Sequence, residues 1–255
     1  MDKADKMKKN SLFNNSLINN ISMNKLITIL FLGAFSTTVF SGGMEDDPII
    51  TKVMIDQFET RITDGDDPLV LEAQGWIGKD LHKLWLKVDS EWLDSDNEEL
   101  EIQALYSQAI APFWDFQIGW RHDSKPEPDR DWLVIGFQGL APYWFEVDSA
   151  LFIGESGQTN LRFEAEYEWI FTQKLILSPE IEINFHSKND EPVGTGSGLS
   201  DTQLGLRLRY EIRREFAPYI GINWNKKYGN TADYAREEDE DTDDVQLVLG
   251  IRSWF

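Results

Sequence analysis

The sequence predicts an all-β protein, a transmembrane antiparallel β-barrel of about twelve strands with both termini periplasmic and long extracellular loops. Three observations carry this. Period-two alternation of apolar and polar residues recurs along the chain, the gaps between the alternating stretches are by turns long and tight, and the last stretch ends on an aromatic residue. Counting back from Phe255 in steps of two gives Ile251, Leu249, Leu247 and Val245, with Gln246, Gly250 and Arg252 between them. In a strand these two sets face opposite ways, one toward lipid and the other toward a polar lumen.

Taken in order, residues 1–22 carry no apolar pattern and read as a disordered leader or an over-extended start, Met23 being the better first residue. Residues 23–41 read as a signal peptide: Lys25, a short apolar core from Leu26 to Phe40, and small residues at Ser41, Gly42 and Gly43. Residues 42–52 form a short periplasmic segment. The barrel occupies 53–255, and its first strand, Val53 to Ile62, alternates poorly, which points to a bulge near Asp56.

Between strands, the expected long loops are 63–68, 94–97, 123–129, 154–158, 188–198 and 228–242, rich in Asp, Glu, Gly, Asn and Pro. The expected tight turns are 78–80, 110–112, 140–142, 172–173 and 214–215. Strands of barrel length, about 9–11 residues, fit between them. Trp114, Trp144, Trp169, Trp224 and Trp254 fall at strand ends, where barrels carry aromatic girdles.

Parity places Leu161, Phe163, Ala165, Tyr167 and Trp169 toward lipid and Arg162, Glu164, Glu166 and Glu168 inward. Glu146 and Asp148 precede them on the inner face, and Glu180, Glu182, Asn184 and His186 follow. Arg207, Arg209, Glu211 and Arg213 supply countercharge one strand later, so that acidic and basic ladders are expected to pair across neighbouring strands. So many long ionic side chains predict a narrow or plugged lumen.

Composition bounds the function. Forty-five acids against 24 bases give a net charge of −21, and loss of the presequence, with five lysines and two aspartates, makes the remainder more negative. Such a surface repels nucleic acid. With a mean hydropathy of −0.40, a bundle of apolar helices of about 20 residues each is excluded. There is no cysteine, which removes disulfides and thiolate metal sites.

The strings EAQGWIGKDLHKLWLKVDSE (72–91), QALYSQAIAPFWDFQIGWRHD (103–123), GLAPYWFEVD (139–148) and LRLRYEIRREFAPYIG (206–221) resemble the copper resistance protein B family. The resemblance runs from about Met54 to Phe255. It implies a barrel in the outer membrane of a Gram-negative bacterium, in contact with lipid and lipopolysaccharide, that binds or transports copper ions alongside a periplasmic multicopper oxidase of the copper resistance A type. Many family members carry an N-terminal extension rich in Met and His. Here the residues after the signal are only Gly42 to Pro48, so any metal site is expected to lie in the barrel or to be very small.

Copper(I) favours sulfur and copper(II) imidazole. Two ligand sets are therefore candidates: His186 with Glu182 on the inner face, and Met44 with Met54 near the N-terminus. His82 reads as a turn residue and His122 as outward-facing. Copper enters as ligand or substrate, with no catalytic role. The alternative is a general porin for small cations or charged solutes without copper specificity. An enzyme is disfavoured: His122 is outward, Ser107 reads as lumenal and Ser124 as loop.

Overall fold

The computed structural model describes residues 47–63, 65, 67–94 and 96–255, and Asp47–Phe255 forms one compact unit. The expected leader and signal peptide, and Met44, lie outside the described residues. The strands are β1 Ile50–Ile62, β2 Leu69–Gly78, β3 His82–Leu93, β4 Asp96–Ala111, β5 Trp114–Lys125, β6 Arg130–Ala141 and β7 Phe145–Gly154. They continue as β8 Thr159–Glu166, β9 Trp169–Ile170, β10 Leu175–His186, β11 Gly198–Tyr210, β12 Phe216–Lys227 and β13 Asp243–Trp254.

Every strand pairs antiparallel with its neighbours, and the β13–β1 and β10–β11 ladders leave no open edge. Both β8 and β9 pair with the same face-edge of β10, so they are two parts of one stave, and the barrel has twelve. Pro179 explains the interruption. Tyr167 donates its N–H to the Pro179 carbonyl at 3.0 Å, but proline has no N–H to return, and the ladder lapses at Tyr167 and Glu168 before resuming at Trp169.

The alternation is inside-out relative to a water-soluble protein. Leu206, Ile220, Ile222, Leu247 and Leu249 are exposed on the outer face, whereas Gln57, Glu59, Glu101, Gln117, Arg207 and Asn223 are buried within. Apolar residues outside and charged residues inside minimise free energy only where the outer solvent is hydrocarbon. A bulge does occur at Asp56, where the β1 register shifts against both β2 and β13. Aromatic residues gather at the rim where β1 begins and β13 ends: Phe113, Tyr143 and Trp144 sit in tight turns with φ of 69°, 68° and 69° and are highly exposed. Bulky residues rarely adopt that backbone conformation.

Three loop boundaries differ from expectation. Leu93 and Asp96 are opposed in the β3–β4 ladder, so that hairpin is tight rather than long. Strand β5 continues through Asp123 to Lys125, because Asp123 is held inward by Arg121 and the Trp132 indole. Finally, the acidic 228–242 segment contains a helix, α1, Gly229–Glu237, with Thr231, Ala232 and Ala235 buried.

Candidate functional site: an ion-braced lumen

The barrel encloses a cavity of about 1040 Å³. Eighteen acidic and ten basic side chains line it, so its field is negative even after every base has found a partner. Of the residues expected inside, Glu146, Asp148, Arg162, Glu164, Glu166, Glu180, Arg207 and Arg209 all line it. Glu168 reaches it indirectly, bonded to Arg209 and lying 3.7 Å from Arg252. Glu211 and Arg213 do not belong to the inner face. β11 ends at Tyr210, the chain turns there, and Arg213 is exposed in a bridge with Phe216.

The expected pairing of neighbouring ladders occurs, in Arg207 with Glu180 at 3.0 Å and Arg162 with Glu182 at 3.5 Å, but a second arrangement is laid over it. Register sets like charges side by side: Glu72 opposite Asp89 and Asp89 opposite Glu101; Asp148 opposite Glu164 and Glu164 opposite Glu182; Glu146 opposite Glu166 and Glu166 opposite Glu180. Like charges in direct opposition are destabilising. Cations reaching from staves further round the barrel offset this. Lys87 on β3 meets Asp148 on β7 at 2.6 Å, Arg162 on β8 meets Glu101 on β4 at 2.9 Å, and Arg252 on β13 meets Glu166 on β8 at 3.2 Å. Each link crosses the lumen over four staves. Parity could locate these groups on the inner face but not choose among partners that far apart.

Two dense networks result. In one, Arg207 donates to both oxygens of Glu59 at 2.9 Å, to Gln57 at 2.7 Å and to Glu180 at 3.0 Å, while Tyr219 donates to Glu59 at 2.8 Å. Glycines give these side chains room to lie flat. A Cβ at Gly250 would stand 2.6 Å from the Tyr219 hydroxyl, and one at Gly221 would stand 3.1 Å from Arg207 Cγ. In the other network, Glu101 is gripped by Arg121 at 2.7 Å and by Arg162, and both guanidinium groups lie over the Phe152 ring, at 4.5 and 5.4 Å. Phe152 belongs to an apolar patch with Leu105, Trp132 and Val134 on the inner wall. Their inward parity was legible in the sequence.

Glu72, Asp89, Glu99 and Glu164 line the cavity without an ion pair among the described residues. They belong to the surplus that the bracing leaves over, together with Glu91, Glu98, Glu146, Asp201 and Glu238.

The candidate metal ligands do not converge. His186 faces the cavity, but its Nε2 meets the Asn160 amide nitrogen, and Glu182 is engaged by Asn184 at 2.7 Å and Arg162 at 3.5 Å. Four residues of extended strand separate His186 from Glu182, roughly 13 Å, too far to share one ion. Met54 lies in β1 opposite Gln74 and Trp254, apart from His186. Among the described residues no group of three or more His, Cys, Asp or Glu is placed to hold a metal ion. His82 stacks on Tyr106 at the rim where β1 begins. His122 lies on the outer wall, stacked on Trp120, with its Nδ1 2.9 Å from Asp131, whereas Ser107 bonds to Asp115 on the opposite face of the sheet.

This architecture defines a porin-like β-barrel, and similarity to solved barrels supports it. A NanC porin structure superposes with a TM-score of 0.54 at 11% identity, covering 80% of this chain and 99% of the porin. A KdgM porin superposes at 0.51 and 11% identity, covering 81% and 99%. At such identity they establish the fold alone. Residues 49–255 match the family model described as copper resistance protein B precursor (CopB). Copper resistance protein B of Escherichia coli is 44% identical over 212 residues, 83% of this chain and 72% of that protein. A copper resistance protein B homolog of Pseudomonas syringae pv. tomato (strain ATCC BAA-871 / DC3000) is 44% identical over 219 residues, 86% and 74% respectively. The chain belongs to the copper resistance protein B family, and it is a protein of the Gram-negative outer membrane.

Proposed function

We propose that the barrel is a passage for small hydrated cations across the outer membrane, selecting by sign rather than by tight coordination. The observation that carries this reading is the set of like-charge carboxylate rows, Glu72–Asp89–Glu101 and Asp148–Glu164–Glu182, which the cross-lumen bases neutralise only in part. Packing acids opposite one another costs stability. The negative field that results concentrates cations and excludes anions. Purified protein in planar bilayers under a KCl gradient is expected to give a reversal potential of cationic sign. An anion-selective or unselective current would refute the reading.

A second reading gives the passage a particular cargo. The relatives are named for copper resistance, and copper ions are the cations that this membership favours. The chemistry of the lumen supports copper in transit, since His186 is the one imidazole facing the cavity among the described residues and Glu182, the acid expected to join it, is already engaged by Asn184 and Arg162. Deleting the gene should alter copper tolerance and envelope copper content. Unchanged values would leave the general cation passage standing alone. Partnership with a periplasmic multicopper oxidase of the copper resistance A type rests on family resemblance, and co-purification from crosslinked envelopes tests it.

A further inference from the structure

The mouth at the long-loop end is crossed by a strap built from two loops. Arg130, the first residue of β6, grips Asp190 in the β10–β11 loop with two parallel bonds, Nε to Oδ2 at 2.9 Å and Nη2 to Oδ1 at 2.8 Å. Its remaining nitrogen donates to the Pro128 and Asp129 carbonyls, which fixes the guanidinium in place. From Asp190 the chain closes a small hairpin: Asp190 and Thr195 exchange both backbone bonds around Gly194, whose φ is 67°. The next residue, Gly196, donates its N–H to the Thr231 hydroxyl at 2.8 Å in a buried bond. Thr231 belongs to α1, which leaves β12 and buries Thr231, Ala232 and Ala235. A covalent and hydrogen-bonded path therefore runs from β6 to β12. Those staves stand five steps apart in a ring of twelve, almost opposite.

The strap faces the lumen. Arg130, Asp190, Thr195, Thr231 and Ala235 all bound the cavity. Its central joint admits only glycine, because a Cβ at Gly196 would fall 2.7 Å from Asn230 Cβ and closer still to the Thr231 nitrogen. A surface loop with no task needs neither a bidentate latch across three staves nor a backbone joint of this tightness.

We propose that this strap sets the size limit on the cations the barrel admits, with Arg130–Asp190 as its latch and Gly196–Thr231 as its hinge-side anchor. The inference deepens the cation-passage reading and rests on it. Releasing the latch frees the 190–195 hairpin to swing off the mouth. Small cations then gain little, and large ones gain most.

The test is the permeability of tetraethylammonium relative to potassium, measured by bilayer recording on the full barrel, with folding verified by heat-modifiable gel mobility. Arg130→Ala and Asp190→Ala are expected to raise that ratio by about threefold or more, as steric selection at a constriction implies. Gly196→Val, which breaks the other joint, should do the same, and Arg130→Lys, which keeps the charge but not the two-pronged grip, should fall between wild type and Arg130→Ala. A wild type that carries potassium while excluding tetraethylammonium, with all variants unchanged, overturns the strap and leaves the passage intact. A closed wild type opened by Arg130→Ala supports the strap as the closing element. Absence of current from wild type and variants alike overturns both.

Discussion

Arg207 is the residue whose loss should be felt most strongly in folding. Its guanidinium bonds to both oxygens of Glu59 and to Gln57 and Glu180, and the Arg207 and Glu59 side chains are 6% and 0% exposed. In Arg207→Met the Glu59 carboxylate keeps Arg61 at 2.9 Å and the Tyr219 hydroxyl at 2.8 Å but loses its two-pronged partner, and Glu180 loses its ion pair while still facing Glu166. Removing one member of a buried pair costs about 3–5 kcal/mol. Glu180 is 20% exposed to the lumen and can recover hydration, so the low end of that range, about 3 kcal/mol, is the expectation. The double variant Arg207→Met/Glu59→Leu removes the stranded charge as well, and contacting residues couple by about 0.5–3 kcal/mol, so it should be less destabilised than the single change plus Glu59→Leu. Equilibrium urea unfolding in lipid vesicles, followed by tryptophan fluorescence and gel mobility, measures all three. A single-variant loss below 1 kcal/mol, or simple additivity in the double, would refute the view that the network is held by an obligatory countercharge.

Other positions test other parts of the architecture. Gly250→Ala puts a Cβ 2.6 Å from the Tyr219 hydroxyl and 2.7 Å from Glu59 Cβ, and overpacking of this kind costs about 1–3 kcal/mol; the additional change Tyr219→Phe should recover little, because the ring itself also clashes. Leu206→Arg, on the outer face, should destabilise by about 2–4 kcal/mol if it lies near the bilayer midplane, whereas Gln203→Arg on the cavity side should cost little, a contrast read from the same unfolding curves. Glu164→Gln should move two observables in opposite directions. Relief of its opposition to Asp148 and Glu182 stabilises by about 0.2–1 kcal/mol, while the potassium-to-chloride permeability ratio falls. Stability and selectivity changing together in the same direction would argue against the acid rows as the selecting element.

The staves, the outward and inward faces and the bulge at Asp56 could be read from the sequence because each is a local consequence of period two. Pro179 shows where locality ends. Its missing N–H acts on the neighbouring strand, so the break at Tyr167 was invisible within the segment 161–169 itself. The ionic partners were hidden for the same reason carried further: Lys87 and Asp148 lie 61 residues apart and meet only because the sheet closes. Helix α1 had a signal that the acidic run masked, in the helical spacing of Thr231, Ala232 and Ala235. As for the metal candidates, residues on one strand face share a direction, and His186 and Glu182 share it without sharing a place. Charge and parity identify what lines the lumen. Convergence is a property of the closed ring.

That distinction bears on how a cation is handled. A tight site requires several donors within one coordination sphere, with their own hydrogen bonds arranged to support them. A conduit requires attraction that is spread out and weak enough to release. Here the strongest acids in the geometric sense, Glu59 and Glu101, are already saturated by arginine and contribute little to a passing ion. On the proposed reading the attraction comes from unpaired acids such as Glu72, Asp89, Glu99 and Glu164, on staves β2, β3, β4 and β8, each opposed by another acid and none in an ion pair among the described residues. Substituting the saturated pair should thus change stability with little effect on selectivity, and substituting the surplus acids should do the reverse. The braces hold the cylinder in shape while the surplus acids repel one another, and on the proposed reading an entering cation relieves that repulsion.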